Sequence, residues 1–189
     1  SEGMSPRIRV EDTLNALEKL GIAARNRAQA LRIAVTGSVG KTSTKDALKT
    51  IFKDHGPTHG SVSSYNNQWG VPLTLARMPQ ETLYGIFEVG MNHPGEIRPL
   101  SHILQPHIAL ITTVVDAHAE FFKSTDDIAR AKAEIFEGMS EGGKVILNQD
   151  NPYFPFLSTC AQERGLKVYG FGQAEQADFR LLSWTCKTT

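Results

Sequence analysis

An α/β fold, with a mostly parallel sheet flanked by helices, is predicted by three features of this sequence. A glycine-rich turn, Thr36-Gly37-Ser38-Val39-Gly40-Lys41-Thr42, joins an apolar run to a helical pattern. Short β-branched apolar runs then alternate with helical patterns along the chain, as strands buried on both faces require. Polar and acidic clusters follow those runs directly, which puts them on the rim where the carboxyl ends of parallel strands collect chemistry.

Taken in order, positions 1 to 9 read as a linker, and Val10, Leu14, Leu17 and Leu20 recur at helical spacing until Gly21. Residues 1–30 are thus expected to be an interdomain linker and leading helix, with the main domain over 31–189. The segments Leu31 to Val35, Leu83 to Val89, His107 to Val115 and Lys144 to Leu147 are short and apolar, and read as buried strands. Helical patterns lie between them at 42–54, 94–104, 125–139 and 152–164. A shorter helical pattern follows the polar loop that begins at Ser64. Two further strands are expected around Leu166 to Tyr169 and Phe179 to Trp184.

Bulk composition narrows the function classes. The 189 residues are 40% hydrophobic, enough for one sizeable core, with Lys and Arg totalling 20 against 20 Asp and Glu. No net field draws the chain to nucleic acid or to an anionic membrane, so any phosphate recognition must be local. Only Cys160 and Cys186 are present, which fits a reducing compartment and supports no cysteine-rich metal site. No apolar stretch approaches the roughly 20 residues of a membrane span. A cytoplasmic location, no nucleic acid and no membrane insertion are the expectations.

The glycine-rich turn is the strongest chemical signal. A strand that delivers such a turn to a helix N-terminus aims several backbone N–H groups at one spot, where the helix dipole also favours an anion. Gly37, Ser38, Val39, Gly40, Lys41, Thr42 and Ser43 would cradle phosphates, Lys41 would neutralise the outer ones, and the Thr42 hydroxyl would reach Mg²⁺. The full spacing of the phosphate-loop motif would place glycine at position 35, where this chain has Val35; it is a shortened variant.

Four further places carry candidate chemistry. Glu88 is a carboxylate in apolar company, and a magnesium shell shared with Thr42 or a cap on the helix near Pro94 would each relieve its burial. His118 and Glu120 follow the third strand on the expected rim, and a structural histidine is equally compatible with the pattern. Lys132 falls on the apolar stripe of its helix with Ile128, Ala131, Ile135, Phe136 and Met139, either snorkelling to water or buried with a lowered pKa for covalent chemistry. Asn66 and Asn67 lie in an amide-rich loop that suits either a polar substrate or an asparagine turn.

Beyond this point the motifs resemble a known family. Val35 to Thr42, Asn66-Asn67 with Gly70-Val71-Pro72-Leu73-Thr74, Glu88-Val89-Gly90-Met91 with Gly95-Glu96-Ile97, His118-Ala119-Glu120 and Ala131 to Phe136 are similar, in this order, to the central domain of the Mur ligases. Val10 to Leu14 resembles the segment that precedes that domain in the D-alanyl-D-alanine-adding branch. The resemblance implies a P-loop NTPase-like central domain of an ATP-dependent amide-bond ligase of peptidoglycan synthesis. A substrate carboxylate would attack the γ-phosphate to give an acyl phosphate, which the amine of D-Ala-D-Ala would then displace on a UDP-MurNAc-tripeptide.

Carried over by residue, the resemblance makes Lys41, Glu88, His118 and Lys132 catalytic. It makes Thr42, Glu88, His118 and Lys132 the metal site for two Mg²⁺ ions, with Lys132 carbamylated. Asn148 would contact the adenine of ATP, and Asn66, Asn67 and Glu120 would face the muramoyl peptide. Ser43 stands where threonine is common in the family, and keeps a hydroxyl. The family's N-terminal domain for the UDP-sugar and C-terminal domain that closes over ATP would be partners outside these 189 residues, so the chain alone is expected to be inactive. A non-catalytic nucleotide-binding module, an amino-acid-adding muramyl ligase and a folylpolyglutamate synthase are the alternatives.

Overall fold

The computed structural model describes residues 7–116 and 121–185. Its seven strands, in chain order, are β1 (Leu31–Thr36), β2 (Thr58–Gly60), β3 (Tyr84–Glu88), β4 (Ile108–Ile111), β5 (Lys144–Asn148), β6 (Lys167–Gly172) and β7 (Phe179–Arg180). All pair in parallel in the order β2-β3-β1-β4-β5-β6-β7. The helices are α1 (Thr13–Arg27), α2 (Lys41–Lys53), α3 (Gly70–Ala76), α4 (Ile97–Leu104), α5 (Thr125–Ala133) and α6 (Phe154–Gln162).

Strand β1 sits between β3 and β4, with Val35 opposite Glu88 on one side and Leu110 on the other. Successive strands diverge there to either side, and the carboxyl end of β1 is therefore a topological switch point. The two faces of β1 follow the period of two expected of a pleated strand. Ile33 and Val35 pack with Ile86, Leu48 and Phe52, on the face that α2 covers. Ala34 turns the other way, into the larger cluster of Leu75, Phe87, Val89, Leu100, Ile111, Ile128, Phe136 and Leu147.

The structure differs from the sequence reading at several boundaries, each for a local reason. Helix α1 continues through Gly21 to Arg27, and Gly21 serves packing rather than termination, since a Cβ there would meet Pro72 O at 2.9 Å. That glycine is a point of close approach to α3. The three-residue strand β2 is polar and at the sheet edge, so it carries no apolar run to announce it. The expected strand over 107–115 narrows to Ile108–Ile111, and the following backbone leaves the ladder to meet the phosphate loop. Only Phe179–Arg180 pairs in the last expected strand.

The lysine-bearing helix changes pitch after Ala133, where α5 gives way to a 3₁₀ turn over Glu134–Gly138. Residues three apart eclipse in that geometry, so Glu134 and Glu137 lie in line. Both meet the start of α4. Gly95 N and Arg98 N donate to the Glu134 carboxylate at 2.8 and 3.1 Å, and Arg98 Nε donates to Glu137 Oε2 at 2.7 Å. Glu134 thereby satisfies N–H groups that the first turn of α4 leaves without helical partners, in place of the side-chain cap that Glu96 does not supply.

Candidate active site at the phosphate loop

Residues 36–41 form the loop between β1 and α2, and their neighbours from β4 fix its shape. Thr112 Oγ1 donates to Val39 O at 2.5 Å, Ser38 N donates to Thr113 O at 2.9 Å, and Ser38 Oγ exchanges hydrogen bonds with Val115 O and N. Gly37 and Gly40 take φ of +146° and +82°, values that L side chains rarely adopt. Gly40 is the N-cap of α2 and supplies no side chain to it, so the first N–H groups of a 13-residue helix remain open toward the loop. That is the arrangement an anion needs.

Lys41 folds over its own loop and donates to Gly37 O at 2.8 Å and Ser38 O at 3.4 Å. Burial lowers its pKa, and the Glu88 charge partly restores it. Thr42 Oγ1 donates to Glu88 Oε2 at 2.9 Å, and Asn66 Nδ2 donates to Glu88 Oε1 at 2.8 Å. Glu88 is 1% exposed, and its backbone N–H donates to Ser61 Oγ at 3.2 Å. The carboxylate does not cap α4; Glu134 does. Among the described residues no cluster of three His, Cys, Asp or Glu side chains forms a ready-made metal cage. One carboxylate beside one hydroxyl and a phosphate cradle instead suits Mg²⁺, which takes few protein ligands and completes its shell with phosphate oxygens and water.

Lys132 is 2% exposed, so its ammonium does not snorkel. Burial first, and the charge of Lys41 second, lower its pKa from 10.5 to about 7. The lowered pKa leaves a large share of the amine neutral near pH 7. At the carboxyl end of β3 the structure thus gathers Lys41, Thr42, Glu88 and Asn66, with Lys132 acting on the same field. Ser43 follows within the first turn of α2.

Two other sequence candidates make local hydrogen bonds through their amide oxygens. Asn67 Oδ1 accepts from Trp69 N at 3.2 Å and Gly70 N at 3.0 Å, which is an asparagine turn at the start of α3. Asn148 ends β5, and its Oδ1 accepts from Asp150 N at 3.0 Å. His118 and Glu120 lie outside the described residues.

Three contributors escaped the sequence reading. Asn151 Nδ2 donates to Thr113 Oγ1 at 2.9 Å and Val114 O at 2.8 Å, tying the loop after β5 to the backbone that holds Ser38. Ser61 is buried beneath Glu88. Lys45 joins Lys132 as a second buried lysine among the described residues, signalled only by the recurrence of lysine at 41, 45, 49 and 53.

Residues 35–188 match the Mur ligase middle domain. A UDP-N-acetylmuramoyl-tripeptide--D-alanyl-D-alanine ligase of Rickettsia prowazekii is 42% identical over 176 residues, covering 93% of this chain and 39% of that protein. Its counterpart in Bacillus subtilis is 37% identical over 87% of this chain and 35% of its own length. A crystal structure of MurF from Acinetobacter baumannii superposes with a TM-score of 0.83 at 37% identity, over 90% of this chain and 37% of that one. MurF from Thermotoga maritima, solved in complex with ADP, gives 0.82 at 25% identity over 99% of this chain and 43% of that one. This chain spans about two fifths or less of the length of these relatives. It belongs to the Mur ligase family, as a middle domain of that family.

Proposed function

We propose that this chain is the ATP-binding middle domain of a cytoplasmic ligase that joins D-Ala-D-Ala to a UDP-MurNAc-tripeptide. The observation that carries the reading is the chain of contacts Thr42–Glu88–Asn66 beside a glycine loop and Lys41. It sets a phosphate cradle, an ion-binding pair and an amide side chain on one rim. The relatives named for this reaction are 34–42% identical to the chain.

In this reading the loop from Gly37 to Ser43 holds the nucleotide phosphates, and Lys41 swings from its own carbonyls to the outer phosphate. Thr42 and Glu88 would hold Mg²⁺, which supplies neutralisation of phosphate charge when bound; His118 and Lys132 would serve a second ion. Lys132, whose amine is about half neutral near pH 7 because burial lowers its pKa, is suited to take up CO₂: the neutral nitrogen bonds the carbon and one proton leaves, giving an anionic carbamate in the field of Lys41; from the ammonium form two protons leave in all. Asn66, with Asn67 and Glu120, faces the muramoyl peptide, and Asn148 the adenine. Most of the rate would come from positioning and charge stabilisation as the peptide carboxylate is phosphorylated and then aminolysed. Residues 1–30 act as the link to an N-terminal domain, and a C-terminal domain completes the site.

The test uses the full-length ligase in a coupled phosphate-release assay with UDP-MurNAc-tripeptide, ATP and D-Ala-D-Ala. Wild-type turnover should require all three, and Lys41→Ala should abolish it. Turnover with a single amino acid in place of D-Ala-D-Ala would favour another ligase of the family, and near-normal turnover by Lys41→Ala would refute the assignment of the loop.

A further inference from the structure

Along α2 a lysine recurs every fourth residue, at Lys41, Lys45, Lys49 and Lys53. Like charges at that spacing repel on a helix, so the stripe needs acceptors. The first three lysines each reach backbone carbonyls of a different point on the site. Lys41 takes Gly37 and Ser38, Lys45 Nζ donates to Ser63 O at 3.2 Å, and Lys49 Nζ donates to Ser61 O at 3.4 Å. Lys45 is 1% exposed, and its only charged partner is the neighbouring Asp46 at 3.0 Å among the described residues. A buried ammonium is costly unless its bonds are made, so the carbonyl of Ser63 is held firmly.

The segment that Lys45 holds is otherwise tied to the rest of the fold at its ends, where Ser61 N donates to Ile86 O at 3.1 Å, Lys49 reaches Ser61 O, and Asn66 bonds Glu88 and Gly90. It belongs to neither sheet nor helix, and Ser63 adopts φ of +51°, a conformation uncommon for a residue with a side chain. Both of its ends touch Glu88, one at the backbone and the other at the carboxylate. Ser61 Oγ accepts from Glu88 N, and Asn66 Nδ2 donates to Glu88 Oε1 while Asn66 O accepts from Gly90 N at 2.8 Å. Asn66 packs so closely on Gly90 that a Cβ there would come within 2.8 Å of its amide carbon.

We propose that Lys45, acting through the Ser63 carbonyl, is a positioning residue that sets the Ser61–Asn66 loop against Glu88 for the muramoyl peptide, separately from nucleotide binding. This rests on the function proposed above. The helix that presents the phosphate loop thereby also places the peptide side of the site, with Lys41 on the phosphate loop and Lys45 and Lys49 on the loop that follows β2.

The experiment compares wild-type full-length ligase with Lys45→Met, which keeps the apolar stem, and Lys45→Arg, which keeps the charge. Phosphate release gives KM for the muramoyl tripeptide and for ATP, and hydrogen–deuterium exchange follows the backbone. Lys45→Met should raise KM for the peptide about tenfold. KM for ATP should stay within about twofold, and Lys45→Arg should recover most of the loss. Exchange should quicken over 61–66 and not in β1. A parallel rise in KM for ATP, an unchanged KM for the peptide, or exchange that quickens throughout the sheet overturns the proposal. If Lys45→Met does not fold, Lys45→Gln carries the same measurements. A wild-type enzyme without ligase activity would refute the proposed function, and the exchange comparison would still decide whether Lys45 holds the loop.

Discussion

Replacing Lys132 by methionine should stabilise the fold at acidic pH and do so less as pH rises. Folded Lys132 titrates at about 7, against 10.5 for an unhindered lysine. Between those values the unfolded chain binds more protons, so wild-type stability climbs with pH across that window. Below it both states carry the proton and the full cost of burying an ammonium is present; above it neither does and the cost is gone. The displacement corresponds to roughly 5 kcal/mol at most. Most of the relief falls above neutrality, so between about pH 6 and about pH 9 the wild type should gain about 1 to 3 kcal/mol on Lys132→Met. Urea unfolding of both proteins in CO₂-free buffer at the two pH values measures it, with all other titrating groups cancelling in the difference. A difference that does not change with pH would mean that the ammonium is solvated or paired, and would remove the reason for a reactive amine. Bicarbonate should then shift the wild-type midpoint near pH 8 and leave Lys132→Met unmoved.

Two other substitutions probe the surrounding architecture. Glu134→Ala strips Gly95 N and Arg98 N of their shared acceptor, and should cost about 2 to 4 kcal/mol in chemical denaturation, with part of the loss recovered by Glu134→Gln. In Gly37→Ala the new methyl group meets the Thr112 hydroxyl at a backbone angle that disfavours any side chain. Nucleotide affinity of the full-length ligase, read by titration calorimetry with ADP, should fall at least about tenfold while the far-ultraviolet circular dichroism spectrum is retained.

The legibility of this chain in its sequence followed the length scale of each signal. Runs such as Ile108–Ile111 and Lys144–Asn148 are buried on one face and largely half-covered on the other, and the apolar stretches Ile108–Ile111 and Val145–Leu147 mark them directly. The phosphate loop was legible because glycine, lysine and hydroxyl must fall in one order over a few residues. Glu88 and Lys132 could be singled out as charges in apolar company. What escaped depends on contacts between distant segments. Nothing near Thr58–Gly60 tells that these polar residues pair with β3, and nothing near Ser63 tells that its carbonyl takes the proton donor of a lysine 18 residues away. Asn66 and Asn67 look alike in sequence, yet one meets the Glu88 carboxylate and the other closes a turn. The change of pitch after Ala133 was likewise hidden, since the contacts of that turn, such as the close approach of Gly138 to Ser101, are with a distant segment.

The strand order has a mechanical corollary. Parallel ladders open from their margins, and β1 is separated from the β7 margin by β4, β5 and β6. Local opening that starts at either β2 or β7 therefore reaches the span that carries Gly37 and Gly40 only after the strands between have parted. The grip on phosphate is mounted on the part of the molecule that lets go last.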